Sequence, residues 1–431
     1  MKHVVKEVKL KNGSAGLLIH VPDASVMTFE INFRAGEYLV ERDKWETAHL
    51  MEHMLLGANQ KIRNARAFQA EFEKNGAYSN ASTSTYHITY EAECADFEWD
   101  RILELLLIAI SKPLFLETEF EAEVGNVREE LTGRSNNHFR HLSLALREAE
   151  GFLALTDQAR LKLMGNVTLD DIRTHYKKTH TSANMRFVVA GDLSDERVKQ
   201  IERKLLTIEL PDGKEHTPLP LEVPVAMKKP LYIHRAEVEN FYFYIDTFKC
   251  AELTDGELDA LGLVNSMLTE TLASRILGKA REKGLVYSMG SGFGQLTASI
   301  GWWFGAQVRQ ENAKALFKLI VDEIMALRNG QLTTQDIEEA KQYALGRYQR
   351  SGQTVGGTAD GYSGRYFWDG HIDDYYKVPE RINAVTKEIA VATANKLFED
   401  GIWGFGVLGA CGKEFAEELR LAVAPLWQAE E

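Results

Sequence analysis

The sequence predicts an α+β fold of two homologous domains, each with a mainly antiparallel sheet and helices packed on it. Two segments, 26–33 and 241–246, alternate apolar and polar residues as half-buried strands do. Helical periodicity follows at 97–111, 117–132 and 312–327. Strand clusters with helices gathered beside them favour this class over a doubly wound parallel sheet.

A proline-rich segment divides the chain near its midpoint. Five of the nine prolines lie between Leu206 and Pro230, a density that neither a helix nor a central strand tolerates. We therefore predict an N-terminal domain at 1–210, a linker at 211–230 and a C-terminal domain at 231–431.

The two halves carry an internal repeat. At an offset of 209 residues, Glu73 coincides with Glu282 and Tyr78 coincides with Tyr287, within a cluster of further identities. Such self-similarity at a fixed offset indicates that one fold has been duplicated and fused.

Composition excludes several classes of protein. The 431 residues include 50 basic and 63 acidic side chains, a net charge of −13, which argues against nucleic acid as a partner. Three scattered cysteines without a C-x-x-C pair argue against a disulfide framework or a thiolate zinc site. No apolar run approaches the ~20 residues of a membrane span, and the N-terminus lacks the apolar core of a signal peptide. We expect a cytoplasmic protein.

A glycine-rich segment at 351–361 lacks the lysine of a phosphate-binding loop. We predict a flexible hinge or an irregular helix there.

The candidate chemistry lies in the sequence His49-Leu50-Met51-Glu52-His53. Residues four apart share a helical face, so His49 and His53 can present two imidazoles to one metal ion, with Glu52 beside the second. The alternative is a chance spacing on a solvated helix, which would not need the apolar residues that surround the pair.

A third ligand should come from an acidic residue on another element. The predicted helix at 117–132 offers Glu121, Glu123, Glu129 and Glu130. Spacing alone leaves the choice among these four carboxylates open.

The H-x-x-E-H order, followed by this glutamate-bearing helix, resembles the pitrilysin/insulinase family of zinc metallopeptidases, the inverzincins, which includes mitochondrial processing peptidases. The resemblance implies one Zn²⁺ per chain, held by His49, His53 and Glu130. It also implies that Glu123, seven residues before Glu130, supports the site. Glu129 remains the alternative third ligand.

Two further segments extend the resemblance. Asn80, Ala81 and Ser82 match a family strand that lines the site and pairs with extended substrate, a mode in which an open sheet edge hydrogen-bonds a peptide backbone. The alternative is a polar edge strand without a partner. In the second half, Arg281 and Tyr287 match the family's arginine and tyrosine, although the family spaces them seven apart and here the spacing is six.

By resemblance, the Tyr287 hydroxyl would donate to the scissile carbonyl as negative charge develops, and Arg281 would hold the substrate backbone. An ordinary tyrosine at the start of a strand is the alternative. At the repeat offset, the zinc-motif positions become Leu258, Leu261 and Gly262, so the second half is expected to bind no metal.

The resemblance thus implies a zinc-dependent endopeptidase or oligopeptidase that hydrolyses unfolded peptides in a dimeric chamber, with Glu52 as general base to a zinc-bound water. Half-length members of the family pair, so we expect a homodimer in which Tyr287 and Arg281 complete the partner's site in trans; a heterodimer is possible. The alternatives are a non-catalytic or partner-dependent peptide-binding subunit of a heterodimeric processing peptidase, and a zinc hydrolase of non-peptide bonds.

Overall fold

The computed structural model describes residues 1–428; the last three residues of the predicted C-terminal domain, 429–431, lie outside them. The strands are β1 (Val4–Lys9), β2 (Ala15–His20), β3 (Val26–Phe33), β4 (Tyr78–Thr83), β5 (Ile88–Ala95), β6 (Met185–Gly191), β7 (Leu231–His234), β8 (Phe241–Lys249), β9 (Met289–Gln295), β10 (Ile300–Val308) and β11 (Ile402–Gly409). The α-helices are α1 (Thr47–Leu55), α2 (Ala65–Glu73), α3 (Trp99–Ser111), α4 (Glu117–Ser135), α5 (His138–Ala149), α6 (Asp157–Leu163), α7 (Leu169–Thr179), α8 (Asp195–Leu206), α9 (Asp255–Asn265), α10 (Leu277–Glu282), α11 (Gln310–Arg328), α12 (Thr334–Ser351), α13 (Val355–Asp369), α14 (Val378–Ala384), α15 (Lys387–Glu399) and α16 (Lys413–Val423).

The two sheets share one topology. The first has the strand order β1-β2-β6-β3-β5-β4 and the second β7-β11-β8-β10-β9. In each sheet one pair is parallel, β2 with β6 and β7 with β11, and the other pairs are antiparallel. The second sheet therefore repeats the first without β1. The predicted α+β class is confirmed, and the repeated strand order agrees with a duplicated fold.

The chain forms two compact units that are not contiguous in sequence. The first unit consists of Met1–Thr132, Gln158–Leu219 and Gln349–Tyr375, and the second unit of the remaining described residues. Each unit thus contains a segment from the other half of the sequence, unlike the contiguous domains predicted at 1–210 and 231–431. Residues 211–230, the predicted linker, contain no helix or strand and are divided between the units at Leu219.

The segment exchanged into the first unit includes α13, which covers one face of the first sheet. Its side chains Val355, Ala359 and Tyr362 belong to an apolar cluster with β2 and β6. Thr354 caps the helix by accepting a hydrogen bond from the Gly357 amide at 2.9 Å. The prediction of a hinge or irregular helix at 351–361 thus fits only residues 352–354, a turn between α12 and α13. From Val355 onward this cap and the apolar cluster stabilise a regular helix despite the glycines.

Coverage by α13 also changes β3 from the half-buried strand that its alternating pattern predicts. Phe29, Ile31 and Phe33 lie in the main core of the first unit, while the polar residues of the other face are also buried. The alternation is real, but both of its faces are covered.

The second unit is completed in the same way by α5. Leu142 and Leu146 pack in a cluster with Tyr244 of β8 and Leu408 of β11. A Cβ atom at Gly406 would come within 2.9 Å of the Leu142 side chain, so glycine allows this helix to lie close to the sheet.

Among residues 1–428, no helix combines the length and the apolar character needed to cross a membrane.

Glu30 of β3 gives a testable consequence of the buried polar face. Burial raises the pKa of its carboxyl from 4.5 to about 7, and one carboxyl oxygen has no hydrogen-bond partner. The folded protein therefore binds this proton more tightly, and the free energy of unfolding should fall as pH rises from about 4.5 to about 7. We expect Glu30→Gln to stabilise the protein at pH 8 relative to pH 5 by up to about 3 kcal/mol, measured by chemical denaturation.

A matched control is Glu98→Gln in the same unit, because Glu98 is ion-paired with Arg101. Burial raises the pKa of Glu98, but that pair and a hydrogen bond from Asn75 outweigh burial and lower it, so neutralising Glu98 should reduce stability at both pH values. An equal effect of Glu30→Gln at pH 5 and pH 8 would contradict the burial argument.

Candidate metal centre

Helix α1 carries the H-x-x-E-H sequence inside the core of the first unit. Leu50, Met51 and Leu55 are fully buried in the main apolar cluster, so packing holds the helix in place. A solvated surface helix, the alternative considered for this motif, does not describe α1. The two histidines are therefore presented from a rigid element.

His49 and His53 point their Nε2 atoms at one carboxylate oxygen. Glu130 Oε2 of α4 lies 3.4 Å from His49 Nε2 and 3.6 Å from His53 Nε2. The two imidazole rings are 4.9 Å apart, one helical turn from each other. Three potential ligand atoms from two helices thus converge on one point.

This arrangement fits a zinc ion. Bond lengths of about 2.0–2.1 Å in tetrahedral geometry separate neighbouring ligand atoms by roughly 3.3–3.5 Å. The distances from both Nε2 atoms to Glu130 fall at or near that range. Two imidazoles and one carboxylate also leave a fourth position open, as in catalytic rather than structural zinc sites. His49, Glu52 and His53 can likewise bring ligand atoms within 4.8 Å of one another.

Among the four glutamates left open by spacing, two face the histidines. Glu130 contacts both imidazoles, and Glu123 lies two turns earlier on the same face of α4. Glu121 and Glu129 are exposed and form no ion pair with either histidine among the described residues. The geometry favours Glu130 over Glu129 as the third ligand.

Glu123 hydrogen-bonds Nδ1 of the second histidine, the ring nitrogen that is not directed at Glu130. Its Oε2 accepts a hydrogen bond from His53 Nδ1 at 2.9 Å and another from Asn126 Nδ2 at 3.2 Å. The bond to His53 lowers the pKa of Glu123. Burial lowers the pKa of His53, but the bonds to Glu123 and Glu130 outweigh burial and raise it to about 10. The metal-free imidazole therefore sits in a strongly negative field, which suits a cation.

Glu52 is buried beside His49 and His53. Burial raises the pKa of its carboxyl, opposed by the nearby charges of His53 and His49. Thr83, the last residue of β4, donates a hydrogen bond to Glu52 Oε2 at 3.1 Å. A carboxyl with a raised pKa at this position is suited to accept and return a proton.

Sequence reasoning missed Glu46, which contacts the first histidine. Glu46 precedes α1 and is completely buried; its Oε2 accepts a hydrogen bond from His49 Nδ1 at 3.0 Å. Arg160 of α6 donates to both oxygens of the same carboxylate. Burial raises the pKa of Glu46, but its bonds to His49 and Arg160 outweigh burial and lower it. The available signal was an acidic residue three positions before a ligand candidate, a spacing that brings side chains together at a helix start.

The predicted substrate strand is the edge strand β4. It pairs with β5 on one side only within the described sheet, and its residues alternate between exposed and half-buried. The half-buried Ala81 packs against the core, whereas Asn80 and Ser82 are exposed, and Asn80 Nδ2 donates to Glu91 Oε1 at 3.1 Å. An unpaired strand edge thus begins next to Glu52.

Arg281 and Tyr287 lie in the second unit and contact each other. The Arg281 guanidinium donates to the Tyr287 carbonyl oxygen and lies 4.8 Å from the centre of the Tyr287 ring. The Tyr287 side chain is 83% exposed, which makes its hydroxyl available to a ligand. At the repeat offset, α9 presents no metal-binding side chain at Leu258, Leu261 or Gly262.

Comparison with known proteins finds two family models that match successive parts of the chain. Residues 17–154 match the family model described as "Insulinase (Peptidase family M16)", and residues 166–343 match "Peptidase M16 inactive domain". Together the two matches cover more than half of the chain.

Individual relatives are distant but extensive. The chain is 24% identical over 366 residues to the "Uncharacterized zinc protease YmxG" of Bacillus subtilis (strain 168), covering 82% of this chain and 86% of that protein. It is 25% identical over 191 residues to the "Probable mitochondrial-processing peptidase subunit beta, mitochondrial" of Arabidopsis thaliana, covering 43% of this chain and 35% of that protein.

Solved structures share the fold. A protease from Helicobacter pylori superposes with a TM-score of 0.84 at 18% identity, covering 94% of this chain and 99% of that chain. A peptidase M16 inactive domain from Pseudomonas fluorescens superposes with a TM-score of 0.81, also at 18% identity, covering 94% of this chain and 98% of that chain. The sequence matches, the related proteases and the shared fold agree, and the chain belongs to the insulinase family, peptidase family M16.

Proposed function

We propose that this protein is a zinc-dependent endopeptidase or oligopeptidase that hydrolyses unfolded peptides. The observation that carries the proposal is the convergence of His49, His53 and Glu130 on one point, with Glu52 buried beside it. A relative that the chain matches over most of its length is named a zinc protease, which supports the same metal. His49, His53 and Glu130 would hold the ion, one per chain.

Each residue around the centre has its own role in the proposed hydrolysis. Zinc supplies a Lewis acid that polarises the scissile carbonyl and lowers the pKa of water. Glu52 takes a proton from the attacking water and returns it to the leaving amine. Thr83 orients the Glu52 carboxylate, and the free edge of β4 pairs with the substrate backbone near Asn80, Ala81 and Ser82.

A second candidate function is a partner-dependent or non-catalytic peptide-binding subunit of a heterodimeric processing peptidase. Its support is the match of residues 166–343 to a domain described as inactive and the similarity to processing peptidase beta subunits. The set of metal-binding side chains in the first unit favours the catalytic function over this one.

Whether Glu130 or Glu129 is the third ligand can be tested by making the same substitution at each position. Glu130→Gln should weaken zinc binding by at least about 100-fold, because a charged ligand is replaced by a poor neutral one. Glu129→Gln, one position earlier and exposed, should bind zinc as the wild type does. The measurement is zinc affinity by competition with a chromophoric chelator; the opposite ranking would identify Glu129 as the ligand.

The role of Glu52 predicts a separation of metal binding from catalysis. Glu52→Gln should keep its zinc and lose about 10²- to 10⁴-fold in kcat, because the amide cannot accept the proton. His49→Ala should lose metal and activity together. The measurements are zinc content by elemental analysis and hydrolysis of quenched peptides, with and without chelator. Full activity in zinc-loaded Glu52→Gln would overturn the mechanism, and zinc-loaded wild type without hydrolysis would favour the non-catalytic subunit.

We further propose a homodimer in which Tyr287 and Arg281 of one subunit complete the metal centre of the other; a heterodimer is the alternative. The exposed Tyr287 hydroxyl would stabilise the developing oxyanion, and Arg281 would hold the peptide backbone. The chain carries both parts of such a site, so two identical copies suffice.

Subunit mixing tests this sharing. Glu52→Gln and Tyr287→Phe should each be impaired alone, whereas mixed dimers should regain one intact site and up to about half of wild-type activity per dimer. The oligomeric mass and subunit exchange are checked by native mass spectrometry. Confirmed exchange without recovery would exclude sharing in trans.

A further inference from the structure

We infer that Glu46 is a positioning residue for the metal centre: clamped by Arg160, it orients His49 so that Nε2 is the ligand atom. This inference rests on the proposed zinc centre but not on peptide cleavage. Three observations carry it: the contact to His49, the clamp by Arg160, and the burial of the whole group.

The hydrogen bond to Glu46 determines which ring nitrogen of His49 is available to bind a metal. Glu46 Oε2 lies 3.0 Å from Nδ1, and a carboxylate can only accept, so Nδ1 must carry a proton. Nε2, directed at Glu130, is then the nitrogen whose proton a metal ion would displace on binding. A carboxylate on the second nitrogen also increases the basicity of a ligating imidazole.

The clamp keeps Glu46 an ionised carboxylate in a fixed orientation. Arg160 Nε donates to Oε1 at 2.5 Å, and Nη2 donates to Oε2 at 2.9 Å, a paired geometry that lysine cannot reproduce. The same Nη2 lies 3.6 Å from Glu37 Oε1. The Glu46 carboxylate therefore accepts hydrogen bonds from both Arg160 and His49.

The burial of this group indicates that it serves more than stability. Glu46 is 0% exposed, Arg160 7% and Glu37 5%. Burying such an ion pair costs about as much desolvation energy as its attraction returns, so apolar residues would serve the core at least as well. Glu46 also makes no cap hydrogen bond to the start of α1, although its position would allow one. Its hydrogen-bonding capacity is directed to His49 instead.

The contact between Glu46 and His49 resembles the contact between Glu123 and His53. Glu123 accepts from His53 Nδ1 at 2.9 Å, and Glu46 accepts from His49 Nδ1 at 3.0 Å. Each proposed imidazole ligand thus has its own carboxylate, one from α4 and one from the residue before α1.

The test is zinc affinity, with a matched control. Glu46→Gln preserves volume but removes the charge that Arg160 and His49 share, so zinc affinity should fall about 10- to 100-fold. Glu37→Gln also changes a buried carboxyl beside Arg160, but Glu37 acts on His49 only through its charge and not through a hydrogen bond, so its loss of zinc affinity should be well below that of Glu46→Gln. The visible spectrum of the Co²⁺-substituted protein should change clearly in Glu46→Gln and much less in Glu37→Gln, a difference that a purely structural role would not produce.

Thermal melting of the metal-free variants reports folding separately. If Glu46→Gln does not fold, Arg160→Lys is measured in its place; it keeps the positive charge but cannot hold both carboxylate oxygens, and should show a smaller loss of zinc affinity. Wild-type zinc affinity in the folded variant, or an equal loss in Glu37→Gln, would overturn the inference. Zinc-bound wild type without peptide hydrolysis would instead overturn the proposed function and leave this inference standing.

Discussion

The packing of α1 into the core of the first unit is the interaction on which the candidate centre depends. Leu50, Met51 and Met54 are buried, and each such side chain contributes roughly 1.5–3 kcal/mol of hydrophobic stabilisation. Because both imidazoles extend from this one helix, their separation is set by helix geometry. Only α4 must then be placed correctly to bring a carboxylate to them, and Leu131 and Val127 of α4 lie in the same core.

The carboxylates around the two histidines carry more negative charge than the histidines alone balance. Glu52, Glu123 and Glu130 all act on His53, and two of them raise its pKa through hydrogen bonds. Carboxylates near one another repel, and a divalent cation is the charge that balances them. The electrostatics of the first unit therefore agree with its geometry, because both favour a cation beside His49, His53 and Glu130.

The same folding logic shapes the two sheets. In each unit, one sheet face is covered by a helix from the other half of the sequence, α13 in the first and α5 in the second. A sheet with an apolar face must bury it, and short-range patterns do not reveal which helix will do so. Contiguous domain boundaries consequently describe the duplication of the fold but not the composition of its compact units.

The sequence by itself determined several local elements and the candidate metal-binding motif of α1. Periodicity predicted β3 and α4, and helical spacing placed His49 and His53 on one face, because these properties depend on backbone geometry over a few residues. Tertiary structure decided the rest: that Glu130 rather than Glu129 faces the histidines, that α13 covers the first sheet, and that Glu46 and Arg160 meet behind His49. Those contacts join residues far apart in the chain or depend on the rotation of a helix against the core, so only the packing of the whole unit could determine them.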